Sequence, residues 1–183
     1  MQESKLIKFV EFFIDNPYIE VYLRELAKKL KISPFAAKKY ADILIKEGII
    51  IDKRKANLRY FKANKDNLFY KYLKISYNIK KLVNSGLLEF IKNNVPNLSS
   101  VVLFGSIAKG EDDNKSDIDI VIIGKEKNLE IYDFKKKLNR EINIHFFSWS
   151  EWNKKAKEDN PFYYEVINKG IALYGELPIV RWK

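Results

Sequence analysis

Gly105-Ser106 and Asp117 are separated by ten residues, and Asp117 shares an Asp-x-Asp with Asp119. Val101-Val102-Leu103-Phe104, just before the glycine, reads as a buried strand. Ile118, Ile120, Val121, Ile122 and Ile123 make the second segment a near-continuous apolar run, the pattern of a central strand covered on both faces. Side chains alternate across a strand, so Asp117 and Asp119 share one face. Two like charges held together in such a strand are costly unless a cation lies between them. A divalent metal meets that need, and a phosphate substrate is the common reason for the metal. Gly105 allows a backbone to approach phosphate closely. The Ser106 hydroxyl and the amides after it can bond phosphate oxygens.

The elements that must hold these residues fall in the second half of the chain. The chain has 183 residues, 46% hydrophobic and 14% aromatic, enough for two small cores. It has no cysteine, so neither a disulfide framework nor a thiolate metal site is available. Met1 to Phe13 carries Glu3, Lys5, Lys8 and Glu11 and lacks the apolar core of a signal peptide. No apolar run reaches membrane-span length. These features predict a cytoplasmic protein with no membrane partner. The net charge of +10 is uneven. Residues 1–64 hold 14 Lys and Arg against 8 Asp and Glu, residues 65–94 hold 6 against 2, and residues 95–183 hold 14 against 14. An excess confined to one half predicts an anionic partner for that half, most often nucleic acid.

In the first half, Leu6, Phe9, Val10, Phe13 and Ile14 form a helical stripe over Ser4 to Asp15, ended by Asn16-Pro17. Leu23, Leu26, Ala27 and Leu30 form a second. Ser33-Pro34 reads as an N-cap and first helical residue, and Gly48 as the residue just past the end of a third helix. Ala37, Tyr40, Ala41 and Leu44 point to its inner side, and Phe35, Lys38, Lys39 and Asp42 to its outer side. Ile49 to Ile51 and Leu58 to Lys62 read as short strands joined by a basic turn, Asp52 to Asn57. This order resembles a winged helix-turn-helix domain over residues 4–64. The resemblance implies double-stranded DNA as partner, with Lys38 and Lys39 on the third helix and Lys53, Arg54, Lys55 and Arg59 on the wing.

Residues 65–95 read as a helical connector whose apolar side is drawn from Leu68, Phe69, Tyr72, Leu73, Ile75, Tyr77, Ile79, Leu82 and Val83, broken at Gly86. Such a helix favours a homodimer. The tail from Ser148 to Lys183 reads as one or two helices packed on a sheet, with Gly170 a helix C-cap and Gly175 a turn.

Leu103 to Ile123 is the specific part of a second resemblance, which runs from about Leu98 to Gly175. The pattern resembles the minimal nucleotidyltransferases of the DNA polymerase β superfamily. The resemblance implies a small mixed sheet flanked by helices. It also implies NTP as substrate, held by Gly105 and Ser106 with Lys109 and Ser116 nearby, and Mg²⁺ held by Asp117 and Asp119. The metal would stabilise charge during in-line displacement at the α-phosphorus. In that family a third carboxylate on a later strand serves as general base. Here the matching strand is Glu141-Ile142-Asn143-Ile144-His145-Phe146-Phe147, and the position that best matches holds Asn143. Asparagine is a poor base and a poor metal ligand. Glu141 and His145 share its face at about 7 Å along the strand and are the alternative bases.

The sequence thus predicts an α+β chain of two domains, a winged helix over 1–64 and a nucleotidyltransferase-like domain over 96–183, joined by 65–95. Three functions follow. One is Mg²⁺-dependent transfer of a nucleoside monophosphate to an unidentified acceptor, with DNA binding by the first domain. Another is a DNA-binding regulator whose second domain only senses nucleotide. The last is an antitoxin-like chain acting on a partner protein.

Overall fold

A computed structural model describes residues 5–181 except Asn57. The expected helix start at Ser4, the turn residue Asn57 and the end of the tail at Lys183 lie outside them. The chain divides into two units, Met1–Lys74 and Ile75–Lys183. Among the described residues no helix is long and apolar enough to cross a membrane.

The first unit contains α1 (Lys5–Asp15), β1 (Val21–Tyr22), α2 (Leu23–Lys29), α3 (Pro34–Lys46), β2 (Ile50–Lys55) and β3 (Leu58–Ala63). The strands form an antiparallel sheet in the order β1-β3-β2. The Ser33 hydroxyl accepts the Ala36 N–H at 3.1 Å, which starts α3. Gly48, at φ +70°, ends it, since the left-handed conformation there is cheap only without a side chain. Phe9, Phe13, Leu26, Ala37, Ala41, Leu44, Ile50 and Phe61 are buried. Tyr40 is half-buried edge-on to Phe9, with ring centroids 5.9 Å apart.

The hairpin departs from expectation. Asp52 to Lys55, read as turn, extend β2, with Lys53 opposite Tyr60, Arg54 opposite Arg59 and Lys55 opposite Leu58. Their side chains are exposed, so the ladder needs no apolar alternation at that end.

α4 (Leu68–Ser85) spans the point where the chain divides, and Gly86 at φ +87° separates it from α5 (Leu87–Asn94). The buried positions of α4 are Tyr70, Lys74, Ile75, Asn78, Leu82 and Ser85, whereas Leu68, Phe69, Tyr72 and Val83 of the expected apolar face are exposed. Burial here follows the polar partners as well as apolar area. The Asn78 side chain is bonded, and that bond fixes which side turns inward.

The second unit continues with β4 (Ser100–Phe104), α6 (Gly105–Lys109), β5 (Ile118–Ile123), α7 (Tyr132–Leu138), β6 (Ile142–Phe147), α8 (Trp149–Lys157), α9 (Pro161–Lys169) and β7 (Ile171–Tyr174). Strand order is β6-β5-β4-β7, with β5 and β6 parallel and the other pairs antiparallel. It is a small mixed sheet with helices on both faces. On one face Val101, Leu103, Ile118, Ile120 and Ile122 pack with Leu82, Leu87 and Ile91 of α4 and α5. On the other, Val102, Phe104, Val121 and Ile123 pack with Trp152 of α8 and with Tyr163 and Val166 of α9. Full burial of each such aliphatic side chain is worth about 1.5–3 kcal/mol, which is why β5 reads as an almost unbroken apolar run. β7, read as part of a helical tail, pairs with β4 instead. Its alternating half-buried and exposed residues suit an edge strand better than a helix.

Candidate functional site

β4 ends at Phe104 and the chain turns at Gly105, φ +73°. A Cβ at that position would overlap the Asp119 carboxylate, so only glycine fits the turn against that side chain. Asp117 is exposed just before β5, and Asp119 is half-buried within it. Asn143 lies directly opposite Asp119 in the β5–β6 ladder. Its amide donates to Asp117 Oδ2 at 3.2 Å and to Asp119 Oδ1 at 3.0 Å. One NH₂ group therefore spans both carboxylates, at the place where a third carboxylate would repel them.

The two alternative bases stand apart from this bridge. Glu141 is exposed and ion-paired with Lys135 at 2.6 Å. His145, opposite Val121, is exposed with its ring 5.6 Å from Phe104 and 5.5 Å from Phe162. Ser106 follows Gly105 in the first turn of α6, while Lys109 at its other end meets Glu165 of α9 at 3.3 Å. Ser116 is occupied locally: its hydroxyl accepts the Asp113 N–H at 2.9 Å and donates to Asp113 Oδ1 at 3.1 Å.

The loop that presents Asp117 is anchored by groups that sequence reasoning missed. Asp112, 1% exposed, accepts Arg140 Nη2 at 2.9 Å and Asn78 Nδ2 at 3.1 Å. Arg140 also donates from Nη1 to the Ser116 carbonyl at 3.1 Å, one residue before Asp117. The Lys115 backbone N–H, and after it the Ser116 hydroxyl, hold the Asp113 carboxyl below its usual range. One Asp of an acidic run in a charged loop and an Arg in a polar turn carry no sequence signal that they meet. Arg140→Ala should cost on the order of 3 kcal/mol, because it strips a buried carboxylate of a cation. Chemical denaturation checks this, and Arg140→Lys should recover only part of the loss because it cannot reach both acceptors.

Among the described residues no group of three His, Cys, Asp or Glu side chains could hold a metal by itself. Two neighbouring carboxylates suit a hard cation that keeps its waters and takes further oxygens from substrate phosphates, which is the habit of Mg²⁺.

In the first unit Lys38 and Lys39 project from the outer side of α3, and Lys53 and Arg54 from β2, all exposed. Lys55 instead pairs with Glu20 at 2.7 Å. Arg59 pairs with Asp52 at 2.5 Å and Asp42 at 2.7 Å, so it ties the hairpin to α3. Its pKa is raised, first by the bond to Asp52 and then by that to Asp42.

A small mixed sheet whose Gly-Ser turn abuts an Asp pair defines a nucleotidyltransferase-like domain. Residues 86–177, half of the chain, match the family described as polymerase beta, nucleotidyltransferase, and the protein belongs to that family. No curated protein matches the sequence. Solved structures are similar at low scores, three of them as follows. A toxin–antitoxin structure with AMP-PNP is 20% identical, with 54% of this chain and 74% of that chain covered and a TM-score of 0.36. A proposed nucleotidyltransferase from Sulfolobus solfataricus is 20% identical, with coverage of 58% and 88% and a TM-score of 0.35. Pseudomonas aeruginosa HmgR is 12% identical, with coverage of 68% and 48% and a TM-score of 0.33.

Proposed function

We propose that the second unit binds an NTP with Mg²⁺ and transfers its nucleoside monophosphate to an acceptor hydroxyl. The observation that carries this reading is the contiguity of the Gly105 turn and the Asp117–Asp119 pair, inside a domain of a nucleotidyltransferase family. The Gly105 backbone, Ser106 and the first amides of α6 hold the β- and γ-phosphates. Asp117 and Asp119 would hold the metal, which would supply polarisation of the phosphoryl oxygens and neutralise charge on the leaving group. The acceptor oxygen forms its bond to the α-phosphorus as the bond to the bridging oxygen breaks. Pyrophosphate leaves, and solvent takes the hydroxyl proton. The test is incubation of the protein with α-labelled NTPs, Mg²⁺ and cell extract. Label is expected on RNA, DNA, protein or a small molecule, and no label on any fraction would leave the second reading standing.

That second reading is a nucleotide sensor, and the Asn143 bridge favours it. An amide in place of the third carboxylate accepts no proton and keeps two anions together without turnover.

Residues 1–64, within the first unit, are proposed to be a winged helix that binds duplex DNA through Lys38, Lys39, Lys53 and Arg54, with Arg59 a brace between α3 and the wing and Lys55 held by Glu20. Its support is the four exposed cations on the two elements that would meet DNA. Affinity for duplex DNA should fall steeply with salt. Changing the four to Ala should reduce the slope by about 3.6, at roughly 0.9 per phosphate contact. Titration by fluorescence anisotropy checks it, and an unchanged slope would remove the claim.

A further inference from the structure

Asp117 is exposed, lies outside both apolar clusters of the sheet and comes one residue before β5, so its position has to be set through its backbone. Two tethers flank it. On one side the Ser116 carbonyl accepts Arg140 Nη1 at 3.1 Å. On the other the Ile118 N–H donates to the Glu141 carbonyl at 2.9 Å. Arg140 and Glu141 are consecutive and lead into β6, which carries Asn143. The peptide unit is planar, so holding the Ser116 carbonyl fixes the plane that contains the Asp117 N–H. The Ile118 tether uses backbone alone and is open to any residue at 141, whereas the Ser116 tether needs a particular side chain.

That side chain is itself aimed. Arg140 Nη2 meets Asp112 Oδ2 at 2.9 Å, with the Arg140 side chain 10% exposed and that of Asp112 1% exposed. The buried Asn78 lays its amide across both Asp112 oxygens, at 3.1 and 3.2 Å, which fixes the way the carboxylate faces. A guanidinium is a rigid planar fork, so anchoring Nη2 sets the direction of Nη1. Asn78, Asp112, Ser116 and Arg140 all belong to the second unit. A buried ion pair is a poor source of stability, because apolar side chains of similar volume hold a fold as well or better. This one ends on the backbone beside Asp117, and the direction it supplies there is what an apolar group could not.

We propose that Arg140 is a positioning residue for Asp117, aimed by Asp112 and Asn78, and that it sets the affinity for Mg²⁺ rather than for phosphate; the proposal rests on the reading that Asp117 and Asp119 hold the metal. Mg²⁺ demands near-ideal octahedral geometry, so two carboxylates serve it together only when their oxygens converge. A turned Ser116–Asp117 peptide spoils that convergence. It leaves untouched the donors of the Gly105 turn, which follow a different strand.

The test compares the full parent chain with two variants. Arg140→Lys keeps a cation against Asp112 but cannot reach both acceptors. The triple change Asn78→Leu, Asp112→Leu and Arg140→Met makes the buried group apolar. Binding of each of the four NTPs is measured by calorimetry with and without Mg²⁺, well below the melting temperature of each variant. In both variants the Mg²⁺ needed for half-maximal NTP binding should rise about 10–100-fold, the usual cost of losing a group that orients a metal ligand. The weak Mg²⁺-free affinity should stay that of the parent, and the triple variant should melt at or above the parent. A merely structural brace would give the triple variant the Mg²⁺ requirement of the parent. A parent-like Mg²⁺ requirement in either variant, or an equal loss of Mg²⁺-free affinity, would overturn the proposal. Should the triple variant not fold, Arg140→Lys decides by the same measurements. Absence of Mg²⁺-dependent NTP binding in the parent would fail the metal reading itself, whereas such binding left unchanged by the variants would fail this assignment alone.

Discussion

Asp117→Asn combined with Asp119→Asn is expected to lower the affinity for Mg²⁺-NTP at least roughly 100-fold, about 2.7 kcal/mol. The reason is local. The two carboxylates are the acidic groups at the Gly105 turn, and Asn143 adds an amide rather than an anion. Without them the Gly-Ser turn still offers backbone donors to phosphate, so a weak, metal-independent affinity should remain. Isothermal titration with and without Mg²⁺ separates these parts. Binding that never needed Mg²⁺, or that survives the double change, would sink the assignment of the metal to this pair. Neither side chain belongs to the apolar clusters on the two faces of the sheet, so the variant should still unfold cooperatively.

Asn143→Asp is expected to act in the opposite sense on turnover. It sets a third carboxylate where the amide now donates at 3.0 and 3.2 Å, turning two attractive contacts into two repulsive ones. Each like-charge pair at such separations costs on the order of 1–4 kcal/mol between water and a protein-surface dielectric. The metal-free variant should therefore melt lower than the parent, and Mg²⁺ should restore part of the loss by mass action. A general base contributes about 10²–10⁴-fold, so transfer should rise by roughly 10²-fold or more if the parent lacks only that group. Melting with and without Mg²⁺, read beside transfer rates, distinguishes the two functional readings. A parent already as fast as the variant would defeat the sensor reading. A variant that gains Mg²⁺-dependent stability but no turnover would defeat the transfer reading.

Much of the local structure was legible because its signals are local. Ser33-Pro34 and Gly48 bound α3 through a side-chain cap, a fixed φ and a left-handed C-terminal residue, none of which needs a distant partner. The apolar run of β5 showed a strand covered on both faces because burial on two sides leaves no room for alternation. The extension of β2 through Asp52 to Lys55 was not legible. An exposed hairpin end is held by backbone pairing that polar side chains neither signal nor oppose. The misread face of α4 has a related cause. Periodicity counts apolar residues, whereas Asn78 is buried because Asp112 receives its amide, a partner 34 residues away.

The sequence by itself determined the family, the Gly-Ser turn and the Asp-x-Asp, because spacing along one strand sets which side chains share its face. It also determined that the excess positive charge lies in the first 94 residues. Only the tertiary structure decided that Asn143 meets both carboxylates, and that Arg140 and Asp112 brace the loop before Asp117. Each depends on register between strands or on a contact across many residues. Those are set by how the whole apolar surface packs, and no stretch of sequence encodes them alone.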